Sequence, residues 1–132
     1  MAKNLLLLGR ASSGKTAILN YMKEKYPHVV DEFGVTRFDI PRKTPFTVMT
    51  SLRMDEEPFD GVIIVTADVE EDLEEIKKSC GNIPKVVLFN KFDLIQTKRR
   101  CQQYIRNHPE EIFCSSVTSG YGVEKPFFSL IA

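Results

Sequence analysis

Leu5-Leu6-Leu7-Leu8-Gly9-Arg10-Ala11-Ser12-Ser13-Gly14-Lys15-Thr16 joins an apolar run, a glycine-bracketed polar turn and the start of a helical pattern. Four consecutive leucines suit a strand buried on both faces of a parallel sheet. The eight residues after them satisfy G-x-x-x-x-G-K-[ST] in full. Two glycines let the backbone curl until successive amides, chiefly those of Ser12 to Thr16, point at one anion, and the helix that follows adds its positive end. Lys15 supplies a point charge for outer phosphates, and Thr16 a hydroxyl for Mg²⁺. The predicted phosphate contacts are Ser12, Ser13, Gly14, Lys15, Thr16 and Ala17.

Outward from this loop the elements alternate. Ala17, Ile18, Tyr21 and Met22 recur at helical spacing over Thr16 to Lys25, and Pro27 stops the helix. Phe33 to Arg42, with Gly34 and Pro41, reads as a loop leading to an edge strand, and Phe46 to Thr50 is β-prone. Val62 to Val65 and Val86 to Phe89 are two more buried-strand runs. Between them Glu70, Glu71, Asp72, Glu74 and Glu75 precede Lys77 and Lys78, with Gly81 and Pro84 beyond: a helix aligned with its own dipole, its acidic residues forming a solvated face. Gln96 to Asn107 reads as a helix, Glu111 to Ser115 as a last strand and Glu124 to Leu130 as a short closing helix. This order predicts one α/β domain over residues 1–132, a doubly wound and mostly parallel sheet with helices on both faces. Ligands of such sheets bind beyond the carboxyl ends of the strands, which singles out the turns after Leu8, Phe89 and Ser115.

Composition narrows the function classes. The 132 residues are 42% hydrophobic and 27% charged, ordinary for a globular protein and long enough for a sizeable core. Eighteen basic residues balance eighteen acidic ones, so no overall field favours nucleic acid as a ligand. No apolar run reaches membrane-spanning length, nothing reads as a signal peptide, and Ala2 and the closing Ser129-Leu130-Ile131-Ala132 carry no lipidation signal; a cytoplasmic protein without a lipid anchor of its own is expected. Cys80, Cys101 and Cys114 lack metal-type spacing and read as free thiols, with Cys114 a core thiol.

Asn90-Lys91-Phe92-Asp93 follows the strand Val86 to Phe89 directly. A carboxylate there accepts two parallel hydrogen bonds, matching the N1–H and 2-amino group of guanine and nothing on adenine. With this second motif the chain resembles the small GTPases, and best their ADP-ribosylation-factor-like branch. The segments that carry the resemblance are residues 6–19, the strand Phe46-Thr47-Val48, Asn90 to Leu94, and Val117 to Gly122. The resemblance implies a P-loop NTPase fold in its minimal small-GTPase form, GDP or GTP as ligand, Mg²⁺ as cofactor and a protein effector or complex partner. It implies that Asn90 and Asp93 hold the guanine with Lys91 along base and ribose, that Ser116, Val117 and Thr118 form a second base loop, and that Thr36 joins Thr16 on the metal.

The resemblance breaks after Met49. Where the family has Asp-x-x-Gly and then a glutamine, this chain has Thr50-Ser51-Leu52-Arg53-Met54. On that register Thr50 replaces the metal-supporting aspartate and Met54 stands near the water-positioning glutamine; neither does that electrostatic work. Asp55 and Asp60 lie nearby, where a shifted register could recruit one, but neither starts an Asp-x-x-Gly. No catalytic residue is assigned. Two readings of other classes stay open: a pseudo-GTPase scaffold working through protein contacts, and a small nucleotide kinase, which leaves Asn90 to Asp93 unexplained.

Overall fold

The computed structural model describes residues 2–50, 59–107 and 112–132. Strand β1 (Lys3–Leu8) enters a short 3₁₀ turn at Ala11–Ser13 and then α1 (Lys15–Lys25). The chain continues through β2 (His28–Val30), β3 (Thr36–Phe38), β4 (Phe46–Met49), β5 (Gly61–Thr66), α2 (Leu73–Ser79), β6 (Lys85–Phe89), α3 (Ile95–Asn107), β7 (Ile112–Cys114) and α4 (Lys125–Ile131). Among the described residues these strands make one seven-stranded sheet in the order β2-β3-β4-β1-β5-β6-β7.

The sheet is mostly parallel, with β1 at its centre. Leu5 pairs with Val48 on one side and Gly61 on the other, and parallel pairing continues from β5 through β6 to β7. Only β2 and β3 run against their neighbours. The alternating side chains of β1 supply two cores. Leu5 and Leu7 pack with Ile18, Leu19 and Met22 of α1 and Phe127 and Ile131 of α4. Leu6 packs with Val62, Ile64, Val87 and Phe89 of the neighbouring strands, Leu73 of α2 and Cys101 of α3. One pair of helices thus covers each face, which is why an unbroken leucine run is needed here rather than an alternating one. The sheet with its two helical layers is the expected α/β arrangement and is compatible with a doubly wound fold.

Some boundaries differ from expectation. The stretch Phe33 to Arg42, read as a loop, contains β3, and ahead of it β2, whose three residues are all exposed, is held at the sheet edge by its backbone pairing with β3. It has no buried face, so it leaves no hydrophobic pattern to read. Helix α2 is also shorter than the charge pattern suggested. Asp72 caps it by accepting a hydrogen bond from the Glu75 amide at 3.1 Å, leaving Glu70 and Glu71 outside. Among the described residues no helix is long and apolar enough to cross a membrane.

Candidate functional site

The turn after β1 is built around two positions that exclude a side chain. A Cβ on Gly9 would run into the Val65 carbonyl oxygen of the neighbouring strand. Gly14 has φ +92°, and a Cβ there would run into Asn90 Nδ2. The loop therefore lies close against both β5 and the turn after β6, and only glycine permits this. Between these points Ser13 turns the chain: its amide donates to the Arg10 carbonyl at 3.0 Å, and its hydroxyl donates to the same oxygen at 2.6 Å. Lys15, Thr16 and Ala17 form the first turn of α1, whose amides have no acceptor within the helix itself. The Ser13 amide, expected to face an anion, is spent inside the turn.

Two side chains from the β6–α3 turn clip this loop in place. Asn90 is buried; its Nδ2 donates to the Ser13 carbonyl at 3.0 Å and its Oδ1 accepts from Ser115 Oγ at 3.0 Å. Lys91, in the left-handed region at φ +56°, donates from Nζ to the Ser12 carbonyl at 2.7 Å. Asp93 stays exposed, and one of its carboxylate oxygens accepts from Ser116 Oγ at 3.3 Å. The loop after β7 is closed by the reciprocal backbone pair of Ser116 with Tyr121, and the Ser115 carbonyl accepts from the Phe92 amide at 3.0 Å.

Three segments far apart in the chain consequently face one cavity of about 360 Å³. Its walls are Gly14 and Ala17 from the first turn, Asn90, Lys91, Asp93 and Leu94 from the second, and Val117 and Thr118 from the third. That volume lies at the lower end of the range for small-molecule sites. A neighbouring cavity of about 390 Å³ shares Asp93 and Thr118 and adds Phe92, Lys98, Ser116, Ser119 and Tyr121, so Asp93 stands on the wall between the two.

The residues expected around a metal are less assembled. Thr16 is exposed at the start of α1. Thr36 opens β3 opposite Val48, is fully buried, and its Oγ1 has no hydrogen-bond partner among the described residues. A sealed hydroxyl and an exposed one do not share an open site. The hard oxygen of Thr16 suits Mg²⁺ as a single protein ligand completed by phosphate and water. Among the described residues no cluster of three or more His, Cys, Asp or Glu offers an all-protein metal site. Lys15 Nζ donates to the Thr50 carbonyl at 3.4 Å, so the end of β4 does face the loop, with a threonine rather than a carboxylate there. Asp60 lies elsewhere. It exchanges hydrogen bonds with Asn4 at 2.7 and 2.8 Å, at the start of β1, about 16 Å of strand from Gly9. The shifted register through Asp60 therefore fails. Ser51 to Asp55 lie outside the described residues.

One group in this region was not anticipated. Glu71, read with its neighbours as solvated, turns inward with only 6% of its side chain exposed. It accepts from Thr66 Oγ1 at 2.8 Å and stands 3.9 Å from Arg10 Nε of the loop. Thr66 Oγ1 accepts in turn from Arg100 Nη1 at 2.8 Å, and Arg100 also donates to the Ala67 carbonyl. Nothing in an acidic run marks which carboxylate will face inward; the partners lie on β5 and in the turn after β1. Ser115 was missed as well, since one serine at a strand end carries no local signal.

No protein-family model matches this chain, and no curated protein matches it significantly.

Proposed function

We propose that the chain is a minimal small-GTPase-like domain of the P-loop class that binds GDP or GTP together with Mg²⁺. The observation that supports this best is the single cavity lined by Gly14 and Ala17 from the glycine-rich turn and by Asn90, Lys91, Asp93, Val117 and Thr118 from the other two. The first-turn amides of α1, from Lys15 to Ala17, supply donors for phosphate oxygens, and Lys15, parked on a carbonyl, is a cation ready to exchange that weak contact for an anion. Among the described residues one Asp93 carboxylate oxygen has no protein donor, which leaves an acceptor for guanine. Asn90 acts as a brace between loops, with one donor and one acceptor site of its side-chain amide committed to them.

Mg²⁺, when bound with nucleotide, would neutralise charge on the phosphates, with Thr16 as its ligand from this chain. With Thr50 at the end of β4, hydrolysis is slow or absent. A pseudo-GTPase scaffold is the second reading. The burial of Thr36 and the absence of a carboxylate at position 50 favour it, because both weaken the sensing of a γ-phosphate. Either reading calls for a protein partner and not for nucleic acid.

The test is chromatography of the nucleotide released on denaturing the purified protein, followed by calorimetry with GDP, ADP and xanthosine diphosphate. A preference for GDP over ADP is expected. Asp93→Asn should weaken GDP by about 2–4 kcal/mol and favour the xanthine nucleotide, because an amide presents a donor to a donor. Equal affinity of the parent for ADP and GDP would sink the guanine reading.

A further inference from the structure

Helix α3 and strand β7 each bring one cysteine to the same place. Cys101 Sγ lies 3.6 Å from Cys114 Sγ. Cys101 is 1% exposed, while Cys114 is only half-buried. Both belong to the apolar cluster formed by Leu6, Val87 and Phe89, so few polar groups compete for the thiols. Cys80 is elsewhere, at the end of α2, with its sulfur 3.3 Å from the Ile76 carbonyl. All three are free thiols.

The two sulfurs are not equivalent. The sulfur–sulfur hydrogen bond with Cys101 holds Cys114 below the ordinary thiol range, although burial opposes this. The same hydrogen bond, with burial, pushes Cys101 well above that range. Cys114, the less buried of the two, is the sulfur placed to act as nucleophile, with Cys101 packed beside it.

We propose that Cys101 and Cys114 are a redox-active thiol pair that closes to an intrachain disulfide when a peroxide reaches Cys114. The Cys114 thiolate attacks one oxygen of hydrogen peroxide; the O–O bond breaks, and the departing hydroxide takes up the proton that Cys114 lost. Cys114 is left as a sulfenic acid. The Cys101 sulfur then attacks the Cys114 sulfur, the S–O bond breaks, and the leaving hydroxide takes the Cys101 proton. Two thiols and one peroxide give one disulfide and two waters; the sulfurs lose the two electrons that the peroxide gains. The sulfurs must close from 3.6 Å to about 2.05 Å.

The closure acts next to the candidate site. Cys114 is followed by Ser115, which donates to Asn90, and Ser116, which donates to Asp93. Tying the strand end to α3 moves the backbone that carries both contacts. A second consequence rests on the proposed nucleotide function: the disulfide form should bind GDP at least about fivefold more weakly, the lower end of ordinary coupling between sites.

The experiment uses the full, reduced chain treated with hydrogen peroxide, quenched with catalase and capped with N-ethylmaleimide. Trypsin separates the three cysteines, because cleavage after Arg100 and Arg106 isolates residues 101–106 from the peptide that begins at Asn107. The expected product is lighter than the reduced chain by two hydrogens before capping, takes one maleimide on Cys80, and yields a linked peptide joining Cys101 to Cys114. Three capped thiols at a peroxide excess that oxidises free cysteine, or Cys114 advancing to a sulfinic acid without a link, would overturn the proposal. In Cys101→Ser, dimedone should trap the sulfenic acid at Cys114. Should that variant not fold by circular dichroism, Cys80→Ser carries the same burden and must still form the disulfide. GDP affinity before and after oxidation tests the coupling: unchanged affinity overturns it. If the chain binds no GDP in either form, the nucleotide reading fails, and the thiol pair is judged on mass alone.

Discussion

Asn90 stands where the three turns of the candidate site meet. Its amide group bridges Ser13 on one side and Ser115 on the other, within the interior. Asn90→Ala removes both bonds at once and leaves a carbonyl and a hydroxyl without their partner. A cost of about 2 kcal/mol is expected, on the scale of unsatisfied buried polar groups, measurable as a lower urea midpoint. The same substitution should loosen the glycine-rich turn and so weaken GDP binding, whereas Asp93→Asn should alter base preference and leave stability nearly unchanged. That contrast separates a brace from a ligand contact. If Asn90→Ala kept full stability, the bridge would be incidental.

At the scale of elements, the last turn of α1 is tethered to the start of α4. Glu124 accepts from Lys25 Nζ at 2.7 Å and from Tyr26 Oη at 2.9 Å. Burial opposes ionisation of this carboxyl, but the hydrogen bonds from Lys25 and Tyr26 outweigh it and hold the group below the usual carboxylate range. Lys25 is held above its ordinary range by the Glu124 hydrogen bond and then by Tyr21. The sign follows from linkage. A carboxyl depressed in the folded state contributes stability above its unfolded pKa and loses it as pH falls through the folded value. Glu124→Gln should therefore lower the melting temperature modestly at neutral pH, with the gap to the parent closing below about pH 4. Thermal melts across acid pH check this; a gap that stays constant down to pH 2 would show that shape rather than charge matters at this position.

Across the whole molecule, an aromatic stack links the antiparallel edge to the closing helix. Phe38 lies 5.1 Å from Phe46 and Phe46 lies 6.0 Å from Phe127, centroid to centroid, all three buried. Phe127→Ala should cost about 3–5 kcal/mol, the range for an aromatic removed from a packed core, read as a lower urea midpoint with an unchanged slope. Under the proposed function, the architecture also divides labour unevenly. The centre of the sheet delivers the phosphate-type turn and the base-side turns to one cavity, while the end of β4 offers Thr50 and a backbone carbonyl. Intrinsic GTP turnover should be no faster than about 10⁻⁴ s⁻¹ in single-turnover assays. A fast rate would mean that a group outside this arrangement positions the water.

The leucine run, the glycine-bracketed turn and the two valine-rich runs were enough, as sequence, to determine an α/β sheet and to single out turns that line one cavity. Buried parallel strands must be apolar on both faces, and a tight turn against a neighbouring backbone must be glycine; both demands are local and leave local marks. What the tertiary structure alone decided depends on neighbours distant in the chain. Glu71 looks like its acidic neighbours until Thr66 and Arg10 are placed beside it. The β2 strand exists only through its pairing with β3. Asn90 becomes a brace because Ser13 and Ser115 arrive on either side, and Cys101 meets Cys114 because α3 packs across β7's end of the sheet. Hydrogen bonding and sulfur contact act over about 3–4 Å, and the proximity they require is set by how the elements pack, not by the residues at those positions.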